Sequence, residues 1–107
     1  MVVKRNEVWM VQLNPTVGSE IKKSRPCVII SPDEANRYLS TVTIAPLTSS
    51  LKSYPSRLNC TFDKKKGQVA IDQIRSVDKE RLKKKLGVMD KLTTEAIFNL
   101  LHEYFRY

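Results

Sequence analysis

The single histidine, the two cysteines and the lack of any apolar run longer than the four residues of Cys27–Ile30 narrow what this chain can do. One histidine excludes a ribonuclease of the histidine-pair type. Two cysteines and one histidine are too few for a four-ligand zinc site, and the acids form no evident two-metal cluster, so no metal and no cofactor is expected. Cys27 and Cys60 both fall in strand-like segments and read as free thiols packed as small hydrophobes, with no disulfide in a reducing compartment. Neither a P-loop signature nor a GxGxxG turn occurs. A membrane span needs about 20 apolar residues, so no membrane association is expected. The N-terminal MVVKRNEV has no apolar core of the signal-peptide kind, which makes the cytoplasm the expected location.

What the chain has in excess is positive charge. Its 107 residues carry 19 Lys and Arg against 11 Asp and Glu, a net charge of +8. The first 53 residues hold 7 bases and 4 acids and the remainder 12 and 7, so the excess is spread over one domain, residues 1–107, and is not a tail. Such a surface attracts phosphates, and it would draw in an acidic protein equally well.

Glu7–Leu13 alternates as a strand, with Trp9, Val11 and Leu13 on one face. Asn14–Ser24 is a polar loop in which Asn14-Pro15 starts a turn and Gly18 can take positive φ. By spacing alone it could be a solvated connector. Pro26 holds Arg25 extended at the mouth of Cys27–Ser31, a strand apolar on both faces. After a short helical turn in Pro32–Leu39, Thr41–Leu47 is the next strand, with Pro46 placing it at an edge or fraying it. Arg57–Phe62 alternates with Leu58, Cys60 and Phe62 inward, and Lys64–Gly67 reads as a basic turn. In Gln68–Val77 the apolar spacing changes from two to three, which predicts a bulge near Asp72-Gln73 that re-aims Gln73 and Arg75. Asp78–Leu86 reads as a short helix capped by Asp78 and stopped by Gly87. Thr93–Phe105 carries Ile97, Leu100, Leu101, Tyr104 and Phe105 at helical spacing, capped by Thr93, with His102 off the stripe. Five strands, short helical insertions and a C-terminal helix make an α+β domain built on a small, strongly bent, barrel-like sheet.

The residues left for chemistry on a phosphodiester are Glu20, Arg25, Thr48, Ser49 and Gln73. They suit cleavage of RNA by its own 2′-hydroxyl, because the substrate supplies the nucleophile and the protein need only move protons and stabilise charge on phosphorus. Arg25 would hold the non-bridging oxygens, Thr48 would donate to the same phosphate, and Glu20 is the loop's candidate base. Ser19, Lys22, Lys23, Ser49, Gln73 and Arg75 are the candidate RNA contacts. DNA, lacking the hydroxyl, would be bound and not cut.

Through EVWMVQLNP, GSE, RPCVIISPDEAN, TVTIAPLTS and DQIRSVDKERL, in that order, nearly the whole chain resembles the MazF/PemK-type toxins of bacterial toxin–antitoxin systems. The resemblance implies an SH3-like barrel with a C-terminal helix, shared with the CcdB-type toxins, and a homodimer. It implies a sequence-specific endoribonuclease on single-stranded RNA that leaves 2′,3′-cyclic phosphate and 5′-hydroxyl ends without metal. An acidic cognate antitoxin would inhibit it. The family's catalytic arginine falls on Arg25, its catalytic threonine on Thr48, its loop acid on Glu20 and the glutamine of its QIR motif on Gln73. Val17, Ile21–Lys23 and Leu51–Pro55 fall where such enzymes vary and where the cut sequence is set. Two other readings stay open: a toxin of the same fold that binds a protein such as DNA gyrase, and a non-catalytic RNA-binding SH3-like module.

Overall fold

The computed structural model describes residues 1–107. Seven antiparallel strands run in the order β4-β5-β3-β2-β1-β7, and β6 pairs with β3 beside that path. They are β1 (Glu7–Gln12), β2 (Ser24–Ile29), β3 (Thr41–Thr48), β4 (Arg57–Phe62), β5 (Lys65–Ala70), β6 (Arg75–Asp78) and β7 (Leu82–Val88). A short helix, α1 (Asp33–Tyr38), follows β2, and α2 (Lys91–Tyr104) closes the chain. No helix is long and apolar enough to cross a membrane.

The sheet buries both faces, as the apolar reading of Cys27–Ser31 requires. Trp9, Val11 and Leu13 of the β1 segment pack with Cys27, Ile29, Val42, Ile44, Val77 and Leu82 inside the bend. Val8, Val28, Ala45, Leu47, Val69 and Ile71 form a second core on the other face, which Ile97 and Leu101 of α2 cover. Burying each of those two helix side chains contributes about 2 kcal/mol. His102, on the far side of α2, is exposed.

Seven strands form where five are expected, and five further expectations change. Pro46 is fully buried in a central strand, not at an edge. On one side it faces Cys27 of β2; on the other, β6 pairs with Thr41–Ile44 and β5 with Leu47–Thr48. Its missing N–H therefore falls where β3 passes from one neighbour to the other. Lys64–Gly67 is not a turn: Asp63 and Lys64, both at positive φ, form a two-residue hairpin loop, and Lys65 already belongs to β5. The change of period in Gln68–Val77 is not a bulge but a 3-10 turn at Ile71–Gln73 that leads from β5 to β6.

Asp78–Leu86 is not a helix. Asp78 does cap, accepting from the Glu80 N–H, but only a 3-10 turn at Lys79–Arg81 results before β7 begins. Leu82 and Leu86 are four apart, a spacing that suits one face of a helix or of a strand, and pairing with β1 decides between them. At α2 the cap is Asp90, which accepts from both the N–H and the hydroxyl of Thr93.

Candidate active site

Arg25 and Pro26 of β2 meet Leu47, Thr48 and Ser49 at the end of β3, where they line a cavity of about 430 Å³. The antiparallel register that places Arg25 opposite Val11 and Cys27 opposite Pro46 holds this corner rigid. Arg25 Nε donates to the Lys22 carbonyl at 3.1 Å, which fixes the side chain and leaves both Nη groups free to form a fork. Thr48 Oγ1 accepts from the Ser50 N–H at 3.1 Å, so its hydroxyl proton remains free to donate. The opposite wall comes from Met10, Cys60, Phe62, Asp63, Lys65, Lys66 and Leu86. Sequence reasoning gave Phe62 and Cys60 to the core and missed Asp63 and Lys65. The signal that could have found them is the Asp63-Lys64 dipeptide as a hairpin loop between two alternating segments.

Glu20 lies elsewhere. With Val17, Ser19, Ile21, Gln73 and Arg75 it lines a second cavity of about 310 Å³, whose floor includes Pro46. Glu20 Oε1 accepts from the Val17 N–H at 2.6 Å, closing the tip of the loop on itself. The amide of Gln73 is engaged at both ends: Oε1 accepts from the Ile21 N–H at 3.1 Å and Nε2 donates to the Ser19 carbonyl at 3.4 Å. Gln73 thus pins the loop to the 3-10 turn. Arg75 donates to the Leu13 carbonyl and Arg81 to those of Gln12 and Asn14, so two guanidinium groups hold the base of the same loop. Lys22 and Lys23 are exposed on its returning arm.

Neither thiol suits nucleophilic work. Burial pushes Cys27 up to about 12, against the opposing charge of Arg75, and burial together with Asp90 raises Cys60.

A bent antiparallel sheet with a terminal helix, bearing an Arg–Thr corner on a basic cleft, defines an α+β domain equipped to hold an anion. Residues 4–105 match the family of PemK-like, MazF-like toxins of type II toxin-antitoxin systems. A relative, Endoribonuclease MazF of Staphylococcus epidermidis, is 32% identical over 106 residues, covering 94% of this chain and 88% of its own. The structure of MazF (Form-I) from Deinococcus radiodurans matches with a TM-score of 0.87 at 22% identity, over 100% of this chain and 99% of that one. An endoribonuclease in complex with its cognate antitoxin from Mycobacterial species matches with a TM-score of 0.80 at 22% identity, over 94% and 92%. The chain belongs to the PemK-like, MazF-like toxin family of type II toxin-antitoxin systems.

Proposed function

We propose that this toxin is a sequence-specific endoribonuclease that cuts single-stranded RNA without a metal ion. The observation that carries the reading is that Arg25 and Thr48, from different strands, line one cavity with a free guanidinium fork and a free hydroxyl proton. The Nη groups of Arg25 bind the non-bridging oxygens of the scissile phosphate, and Thr48 donates to one of them. The 2′-oxygen attacks phosphorus as its proton leaves, the bond to the 5′-oxygen breaks, and that oxygen takes up a proton from water. The products are a 2′,3′-cyclic phosphate and a 5′-hydroxyl.

Glu20 is the carboxylate we assign to the departing 2′-hydroxyl proton. In the loop conformation described it faces the second cavity, so this role requires the tip to swing toward Thr48. Gly18 and Lys23, both at positive φ, flank the segment that would move. Ser19, Lys22, Lys23, Ser49 and Arg75 serve as RNA contacts. In this reading the toxin works in the cytoplasm as a homodimer, whose two-fold groove doubles the RNA-binding surface. Its +8 charge suits an antitoxin with an acidic binding segment.

The test is incubation with a long single-stranded RNA in EDTA, followed by mapping of the ends. Cyclic-phosphate ends at a recurring sequence, lost on Arg25→Ala or Thr48→Ala, are the expected result. A requirement for magnesium would sink the mechanism. Growth arrest without cleavage of any RNA would favour a protein target such as gyrase, and RNA binding with neither would favour a plain binding module.

A further inference from the structure

The geometry points to Gly67 and Gln68 of β5 as the device that positions Thr48, a role that rests on the nuclease reading above. β5 joins β3 through Leu47 opposite Val69 and Thr48 opposite Gln68. A methyl group on Gly67 would sit 2.6 Å from the Thr48 carbonyl oxygen and 3.4 Å from the carbonyl carbon. Both are backbone atoms of a central strand and cannot rotate aside. Gly67 lies within β5, so close approach demands the glycine and not an unusual torsion angle. Any larger residue would push the end of β3, and with it Thr48, away from the hairpin.

Gln68 fixes the other end of the same segment. Its buried amide brackets the Lys52 peptide: Oε1 accepts from the Lys52 N–H at 3.0 Å and Nε2 donates to the Lys52 carbonyl at 2.9 Å. Nε2 also donates to Asn59 Oδ1 at 2.9 Å, which orients the amide. Thr48–Leu51 is therefore held between a backbone contact at Gly67 and a side-chain clamp at Lys52. Because Thr48 Oγ1 accepts from the Ser50 N–H within that segment, the direction of the hydroxyl is set by how tightly the segment is held.

The test is a double-mutant cycle on a short oligoribonucleotide containing a mapped cleavage site. Gly67→Ala and Gln68→Ala each lower kcat and leave KM unchanged. A displacement of about 1 Å at a reacting group lowers the rate on the order of 100-fold, the loss expected for Gly67→Ala. Combined with Thr48→Ala, neither variant slows the enzyme beyond Thr48→Ala alone, because each acts through that side chain. Val69→Ala, which opens a cavity in the core but leaves the backbone contact at Gly67 and the Gln68 clamp intact, costs stability and leaves kcat unchanged. Losses that multiply with Thr48→Ala, or a raised KM at constant kcat, overturn the proposal. If Gly67→Ala gives no folded protein by circular dichroism, the Gln68→Ala cycle decides by the same criteria. Failure of the nuclease reading has a separate signature: the native protein would cleave no RNA in the mapping assay, whereas native-level cleavage by Thr48→Ala would overturn the positioning role alone.

Discussion

Arg57 and Asp72 meet side on, with Nε to Oδ1 at 2.7 Å and Nη2 to Oδ2 at 3.1 Å, and Ser56 Oγ adds a third bond to Oδ1 at 3.0 Å. The pair ties the start of β4 to the 3-10 turn ahead of β6. Hydrogen bonding from Arg57 holds the Asp72 carboxyl below the usual carboxylate range, against the opposing effect of burial. A depressed carboxylate stabilises fully above its unfolded value of about 3.9, and that contribution is lost as pH falls through the folded value. Stability of the native protein should therefore fall below about pH 4. Asp72→Asn should be about 2 kcal/mol less stable at pH 7 and show a shallower acid slope, checked by urea unfolding from pH 7 to pH 2.

A buried carboxylate, Glu7, behaves differently from its surface partner. Glu7 Oε1 accepts from the Trp9 indole at 3.0 Å and the Lys4 N–H at 2.9 Å, and Oε2 meets Lys85 Nζ at 2.8 Å. Burial alone would raise this carboxyl; the bonds from Lys85, Lys4 and Trp9 outweigh it and hold it low. Glu7→Ala should cost about 2–3 kcal/mol by stranding the Trp9 and Lys4 donors. Lys85 is half exposed, so Lys85→Met should cost less than about 1 kcal/mol. The emission of Trp9, the only tryptophan, reports both transitions.

Gln73→Ala should loosen the active-site loop before it changes anything else. Losing an amide bond worth about 1 kcal/mol should speed hydrogen exchange at the Ile21 N–H roughly fivefold. An unchanged exchange rate with weakened RNA binding would show that Gln73 contacts the substrate.

Two conservative variants separate charge placement from proton transfer. Arg25→Lys keeps the charge but removes the fork, and should lower kcat on the order of 100-fold. Glu20→Gln keeps an oxygen for the Val17 N–H and removes the base. It should lower kcat by at least about 100-fold without moving KM. Native kcat in Glu20→Gln would leave the proton to Arg25.

Alternation in Glu7–Leu13 and Arg57–Phe62 and the apolar stripe around Ile97 and Leu101 marked β1, β4 and α2 in the sequence, because each buries a face with its own period. β7 was illegible for the opposite reason. Its lysines favour no strand, and only β1 lying alongside makes them one. Arg25 could be read at the mouth of its strand because Pro26 holds it extended, whereas Thr48, one of three hydroxyls following a proline-containing strand, became its partner only through the family resemblance. The separation of Glu20 from that pair could not be read, since it depends on where Gln73, 53 residues further along the chain, catches the loop.

β1 lies between β2, which follows it directly, and β7, near the far end of the chain. β1 therefore waits for β7, and a nascent chain cannot complete the sheet on that side of β1 until residue 88 has left the ribosome. Whatever this sheet supports is thereby withheld from a chain that has not yet emerged past residue 88.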